Sequence, residues 1–167
     1  MTDLDLYNKQ ILGLAASIPR VGRLAAPDAS AFAQSRLCGS RIIIDLKLDG
    51  RVITDYAHEL RACVIGQAVA SVIAKVIVGL TIDEVERGAG ILSALLRDKT
   101  PPPPGSWAKL EPFLPVADIR SRHGSALLPF QALLSAIAGA YPGSPWQRGG
   151  LDPAPRAKAQ QTGATFR

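Results

Sequence analysis

The feature that most constrains the fold is a β-hairpin pattern in the first half of the chain. Along Arg41–Leu48, apolar side chains occupy the even-numbered positions, while Asp45 and Lys47 are expected on the opposite face. Asp49 and Gly50 then supply a tight turn, and Val52–Leu60 returns as the second strand. The apolar face must be covered by helices, and its expected members are Ile42, Ile44, Leu46 and Leu48.

Apolar periodicity and capping signals predict four helices around this hairpin. A capping box, in which Thr81 and Glu84 satisfy each other's backbone amides, marks the start of the third helix. Gly22–Leu37 is interpreted as a surface linker, and Trp107–Arg122 as a segment without regular structure. The order predicts an α+β fold, a small antiparallel sheet of about three strands with helices packed on one face. The expected helices are Leu4–Ser17, Cys63–Val78, Thr81–Arg97 and a last one from Gly124 or Ser125 to Ala140.

Composition indicates one domain followed by a tail. The 167 residues are 47% apolar but only 5% aromatic, which is enough for a core built from aliphatic side chains. We expect the domain to occupy residues 1–140. Residues 141–167 are rich in Pro, Gly and Gln and carry several cations, so this basic tail is predicted to be disordered.

Charge and hydropathy argue against two classes of partner. The net charge is +5, but the basic residues are scattered and do not alternate with aromatic ones, so nucleic-acid binding is not expected. The most apolar stretch, Cys63–Leu80, is interrupted by Gln67, Ser71 and Lys75, which favours a buried helix over a membrane span. The polar, acidic N-terminus does not resemble a signal peptide, so we expect a cytoplasmic protein with reduced thiols.

The two cysteines flank the hairpin. Cys38 precedes the first strand and is followed by Gly39, which lets a ligand approach the backbone closely. Cys63 stands at the start of a helix, a position that favours the thiolate, the form that binds metal or sulfur. Because a hairpin joins them, the two thiols can share one site. The alternative is that each cysteine is a small buried hydrophobe, a common role for free cysteine.

Several segments in the right order resemble the U-type iron–sulfur cluster scaffold family, which comprises IscU, SufU and the N-terminal domain of NifU. The resemblance covers roughly residues 5–140. It implies the α+β fold described above, and it implies that Cys38 and Cys63 correspond to the first two cysteines of the family site. The segments that carry it are Pro19–Gly22, Leu37–Ser40, Cys63 with Gly79–Glu84, and Ser121–Ser125 with the apolar run that follows.

The chain departs from the family pattern at two of the four ligand positions. Ser40 stands where the family has an aspartate, and Ser125, or Gly124 with a one-residue shift, stands where it has the third cysteine. A neutral hydroxyl is a poor ligand for zinc or for iron–sulfur chemistry. His123 is close by and imidazole suits zinc and iron, so the resemblance implies a site of Cys38, Cys63 and His123, one ligand short of a closed tetrahedron.

The resemblance implies an iron–sulfur cluster assembly protein of scaffold type that binds iron or a labile cluster for transfer to acceptor proteins. A cysteine desulfurase is the expected sulfur donor, and other assembly proteins are further partners. No phosphate loop, dinucleotide fingerprint or nucleophile elbow occurs in the sequence, and we do not expect an enzyme.

Two alternatives remain open from the sequence. One is a degenerate relative that kept the fold, holds no cluster, and serves as an interaction or accessory subunit. The other is a structural zinc site formed by the same three residues. Ser40 and Ser125 have simpler interpretations as a strand-entry residue and a helix cap, His123 as a surface residue before a helix, and His58 as a cross-strand neighbour.

Overall fold

The computed structural model describes residues 8–141, which form a three-stranded antiparallel sheet with helices packed on it. The sheet order is β1-β2-β3, and the predicted hairpin is confirmed as β2 and β3. The predicted first-helix residues 4–7 and the tail residues 142–167 lie outside the described range. The elements are α1 Lys9–Ala16, β1 Ala29–Gln34, β2 Arg41–Asp49, β3 Val52–Arg61, α2 Val64–Val76, α3 Ile82–Asp98, two 3₁₀ segments Ser106–Asp118 and Arg120–Arg122, and α4 His123–Ala140.

The first strand corrects the interpretation of Gly22–Leu37 as a linker. β1 pairs along the whole first part of β2, with Ala31 opposite Ile44 and Ala33 opposite Ile42. Both alanines are buried in the core, where α4 packs on β1 and β2. Alanine has low strand propensity, which hid the strand in the sequence, but its small side chain lets a helix lie close to the sheet.

The second correction concerns the segment between α3 and α4, which is regular. Ser106–Asp118 is a run of 3₁₀ turns, although Pro112 and Pro115 lie within it. Its buried side chains recur every third residue, as the three-residue turn of a 3₁₀ helix requires. Trp107 also donates a hydrogen bond of 2.8 Å from Nε1 to the carbonyl of Glu84 on α3. The buried members are Trp107, Leu110, Phe113 and Val116.

The helix caps explain where α2 and α3 begin. The capping box is confirmed: the Glu84 amide donates to Thr81 Oγ1 and the Thr81 amide donates to the Glu84 carboxylate. Cys63 is the N-cap residue of α2, which ends at Val76, two residues earlier than predicted. Among residues 8–141, no helix has the length and apolarity needed to cross a membrane.

The outer face of the sheet, opposite α2 and α4, contains a buried carboxylate. Asp45 is fully buried because Arg23 covers it, with Arg23 Nε 2.7 Å from its Oδ2. The Ser30 hydroxyl and the Leu24 amide donate to the same carboxylate. These bonds fasten the segment between α1 and β1 to the centre of β2.

Candidate thiol site

Cys38 lies at the tip of a short loop that connects β1 to β2. The loop is closed by hydrogen bonds from the Ser35 amide to the Ser40 carbonyl (2.8 Å) and from the Gly39 amide to the Ser35 carbonyl (3.0 Å). Gly39 has a φ of 70°, a left-handed conformation that glycine adopts without strain. The turn leaves the Cys38 side chain exposed to solvent at the end of the sheet.

Two buried hydroxyl groups converge on the Cys38 sulfur. Ser40 Oγ lies 3.0 Å from Cys38 Sγ, and Ser125 Oγ lies 3.4 Å from it. Ser40 is the first residue before β2, and Ser125 lies in the first turn of α4. Both serines are only 4% exposed. The structure therefore brings together the two positions at which the sequence departs from the family ligands, and it places Ser125, rather than Gly124, against the thiol.

Cys63 joins the same cluster through Ser40. The Cys63 amide donates to Ser40 Oγ at 3.4 Å, so one hydroxyl bridges the two cysteine-bearing segments. Cys63 itself is half-buried at the start of α2. Gly66 permits this arrangement, because a Cβ at that position would meet the Ser125 carbonyl at 3.2 Å. The first turns of α2 and α4 can therefore pack closely enough to place Ser125 beside Cys38.

The cluster favours the thiolate form of Cys38. Partial burial raises the pKa of Cys38, but hydrogen bonding with the Ser125, Ser35 and Ser40 side chains and with the Ser40 backbone lowers it by a larger amount. The resulting pKa is about 6. Ser40 Oγ accepts from the Cys63 amide and from the Cys38 thiol, whereas the geometry of the Ser125 contact allows the Ser125 hydroxyl to donate to the sulfur. Cys38 is therefore an exposed, largely ionised nucleophile at neutral pH.

His123 is placed differently from the two cysteines. It begins α4, is 6% exposed, and its Nε2 lies 3.2 Å from the Val116 carbonyl and 3.1 Å from the Ala117 carbonyl. A ring nitrogen between two carbonyl oxygens carries the proton and donates. Its observed contacts fix α4 to the end of the 3₁₀ segment.

The donor set within the described range contains two soft ligands. Across residues 8–141, no group of three or more His, Cys, Asp or Glu side chains is arranged to hold a metal ion. The structure thus joins Cys38 and Cys63 through Ser40 and does not add His123 to them as a third ligand. The other members of the cluster are neutral hydroxyls, which bind soft metals poorly but donate well to a sulfur anion.

The second histidine, His58, is a fully buried residue of β3. It stands opposite Ile44 on β2, as a cross-strand neighbour should, and its ring nitrogens lie 2.9 Å from the Tyr56 hydroxyl and 3.0 Å from the Pro19 carbonyl. The backbone of Pro19–Gly22 also bonds to β3, with the Gly22 amide 2.8 Å from the His58 carbonyl. His58 therefore anchors the segment Pro19–Gly22.

Two features of the site escaped the sequence interpretation. Ser35 contributes to the thiol environment, and Arg41 lies directly opposite Arg61 at the same end of the sheet. Serine in a loop carries no distinctive pattern. The arginine pair does not follow from the turn at Asp49 and Gly50, because a bulge next to Lys47 and Leu48 shifts the register by one residue and places Arg41 opposite Arg61 instead of Leu60.

Comparison with known proteins agrees with this geometry. A fold with two cysteines at the ends of a β-hairpin and a third segment at the start of the last helix defines the U-type scaffold class. The family model for the NifU-like N-terminal domain matches residues 6–97, and the chain belongs to this family. No curated protein matches the chain.

Solved structures extend the match to the whole described domain. The N-terminal part of a nitrogen-fixing NifU-like protein from Brucella abortus is 42% identical, with a TM-score of 0.79, over 81% of this chain and 94% of that one. A protein described as a candidate iron–sulfur cluster assembly scaffold for the SUF system from Fervidobacterium islandicum shares the fold at 20% identity and a TM-score of 0.75, over 81% and 99%. A hypothetical protein at 24% identity also shares the fold, with a TM-score of 0.71 over 79% and 96%.

Proposed function

We propose that this protein is a scaffold-type protein of iron–sulfur cluster assembly in which Cys38 accepts sulfur and, together with Cys63, holds iron or a labile cluster as cargo. The observation that carries the proposal is the exposed Cys38 side chain, whose sulfur contacts the Ser40 and Ser125 hydroxyls and is linked through Ser40 to the segment bearing Cys63. Membership of the NifU-like family supports the process.

The sulfur step follows from the chemistry of the thiolate. The partner is a cysteine desulfurase whose own cysteine carries a persulfide. The Cys38 thiolate attacks the outer sulfur of that persulfide, a new S–S bond forms on Cys38, and the donor's S–S bond breaks as its thiolate leaves. No electrons are gained or lost overall. A Cys38 thiol already ionised at pH 7 needs no general base for this attack.

The two serines suit sulfur acceptance better than permanent metal binding. Their hydroxyls donate to an anionic sulfur, so they stabilise the thiolate and then the terminal sulfur anion of the Cys38 persulfide. With two cysteine ligands and, within the described residues, no third one, the chain holds iron or a cluster weakly and releases it readily to an acceptor protein. His123 as a further ligand stays a prediction, and ligation through Nε2 would require the loss of its two carbonyl contacts.

The role is stoichiometric transfer rather than catalysis, and it belongs in a compartment where thiols stay reduced, which we propose is the cytoplasm. A second candidate function, an interaction subunit that holds no cluster, is favoured by one observation. Hydroxyl groups occupy both positions at which the family carries a carboxylate and a third thiol. That candidate predicts that the protein binds neither iron nor a cluster.

The test is anaerobic reconstitution with ferrous iron and sulfide, read by visible absorption and by iron and sulfide analysis. Wild type is compared with Cys38→Ala and Cys63→Ala, and with Ser17→Ala, which changes the exposed C-cap serine of α1, as the matched control. A chromophore with iron and sulfide that both cysteine variants lose and the control keeps supports the scaffold function. A colourless wild type supports the interaction subunit instead.

A further inference from the structure

The outer face of the sheet contains an unusual pair of charges at its thiol end. Arg41 on β2 stands directly opposite Arg61 on β3, and both side chains are exposed. Directly opposed like charges destabilise an antiparallel sheet. Among the ion pairs of the described residues, none within 4 Å includes either arginine. Within the described residues, both guanidinium groups are therefore available to bind an external anion, and the Glu59 carboxylate lies in the next row of the same face.

The arginines border a cleft with an apolar floor. Phe32, Ile43 and Glu59 form the neighbouring row across the three strands, and together with the arginines they line a cleft of about 340 Å³. Phe32 and Ile43 are half-buried, whereas Glu59 is exposed at the edge. A cleft of this shape fits an apolar side chain flanked by carboxylates.

The position of the cleft ties it to the thiol site. Arg41 follows Ser40, whose hydroxyl contacts Cys38, and Arg61 precedes Cys63 by two residues. Arg36 adds a third exposed cation within the Cys38 loop. The cleft therefore lies at the same end of the sheet as the Cys38 loop, and its lining leaves out the two buried serines that contact the sulfur.

We infer that the cleft between Arg41 and Arg61 is the docking surface for an acidic segment of the protein that delivers sulfur to Cys38. This inference rests on the proposed function for the identity of the partner. The partner segment matches the cleft in charge and polarity. Its two carboxylates bind the two guanidinium groups, and an apolar side chain between them packs on Phe32 and Ile43. Docking sets the donor's persulfide over Cys38, and the charge pair steers the encounter.

The test uses a cysteine desulfurase loaded with labelled cysteine and compares two double variants that each lose two positive charges. Arg41→Gln/Arg61→Gln removes the pair. Lys47→Gln/Lys75→Gln is the matched control, because both lysines are exposed and Lys47 lies on the same face of β2, about 20 Å from Arg41 at the rise of a strand. Affinity for the desulfurase and the rate of labelled sulfur transfer to Cys38 are measured at several salt concentrations. Inorganic polysulfide serves as a second donor that needs no docking.

The expected result is a loss of about tenfold in affinity and in transfer rate from the desulfurase for the arginine variant, with a weaker salt dependence, while the lysine variant behaves as wild type. Sulfur transfer from polysulfide should be equal in all three proteins. An equal loss in both double variants, no loss in either, or a parallel loss with polysulfide would overturn the docking inference.

Failure of the proposed function is distinguishable from failure of the docking inference. If wild type accepts no sulfur from either donor, the proposed function fails, and the affinity measurement alone decides the docking surface. Binding that the arginine variant loses then still supports the cleft. A desulfurase that does not bind wild type overturns it.

Discussion

The Ser125 hydroxyl should control the ionisation of Cys38, and its removal tests the site directly. Ser125→Ala deletes one of the hydrogen bonds to the sulfur while leaving α4 intact, because alanine is a good helix former. The hydroxyl stabilises the thiolate more than the thiol, so its loss should raise the pKa of Cys38 above its value of about 6.

The size of the shift follows from the strength of such a bond. A hydrogen bond to a charged group contributes about 1.5–3 kcal/mol. Because the thiol is exposed to solvent, the lower end applies. One pKa unit corresponds to about 1.4 kcal/mol, so Ser125→Ala should raise the pKa of Cys38 by about one unit.

The assay is the pH dependence of alkylation by iodoacetamide, followed by mass spectrometry after tryptic digestion. Cys38 and Cys63 fall in different tryptic peptides, since Arg36, Arg41 and Arg61 provide cleavage sites between and beside them. The quantity compared is the midpoint of the pH profile rather than the rate at one pH, because a thiolate of higher pKa is also a stronger nucleophile. The wild-type midpoint should lie near pH 6 and the variant midpoint near pH 7.

Ser17→Ala is the control, because the hydroxyl of this exposed C-cap residue of α1 donates to the Gly13 carbonyl of that helix. An unchanged midpoint in Ser125→Ala, with native circular dichroism, would refute the argument that the hydroxyl cluster ionises Cys38. A midpoint that moves equally in Ser17→Ala would show that the assay reports something other than the site.

Three further predictions concern stability, each measured by denaturant unfolding. Thr81→Ala should lower the free energy of unfolding by about 1 kcal/mol, and Thr81→Ser should restore most of it; equal losses would contradict the capping box. Gly88→Ala should cost about 1–3 kcal/mol, because its Cβ would overlap the Trp107 ring, whereas Gly90→Ala on the same helix meets nothing and should stabilise; the same sign for both would contradict this packing. His58 has its pKa lowered by burial to about 4, against a smaller opposing effect of a backbone hydrogen bond, so the unfolded state binds its proton first. The contribution of neutral His58 to the free energy of unfolding should be complete above pH 6.5 and should decline by up to about 3 kcal/mol as the pH falls toward 4. A His58→Gln variant that keeps the full decline would contradict this prediction.

Local pattern was sufficient wherever one short segment determines its own structure. The hairpin, the capping box and α4 were predicted because a turn dipeptide, a Thr–Glu pair and an apolar run each define an element without outside help. β1 could not be predicted from local pattern. Its alanines have little strand preference of their own, and the strand exists because β2 offers an edge and α4 a close surface.

The site depends on contacts that no local pattern contains. Cys38 and Ser125 are 87 residues apart, and nothing in either segment alone shows that they touch. The family resemblance aligned Ser125 with a ligand position, yet it suggested a weakened metal site. The structure adds a contact that the resemblance does not contain, between Ser125 Oγ and Cys38 Sγ, through which the hydroxyl can donate to the sulfur. The side chain of Asp45 faces away from the helices, as predicted, but its burial under Arg23 was not predicted.

Ser125 is 87 residues from Cys38, and Ser35 and Ser40 are held beside the sulfur by the hydrogen bonds that close the loop, so the three hydroxyls surround the sulfur only in the native state. On unfolding, its pKa should return toward the ordinary value of 9.0, so folding at neutral pH expels a proton. The thiolate therefore contributes stability that is complete above pH 9 and is lost as the pH falls through about 6. A buried cysteine becomes reactive when a protein unfolds, whereas Cys38 should become less reactive. The rate at which Cys38 is labelled should therefore fall as the protein unfolds, whereas the labelling rate of a buried cysteine rises.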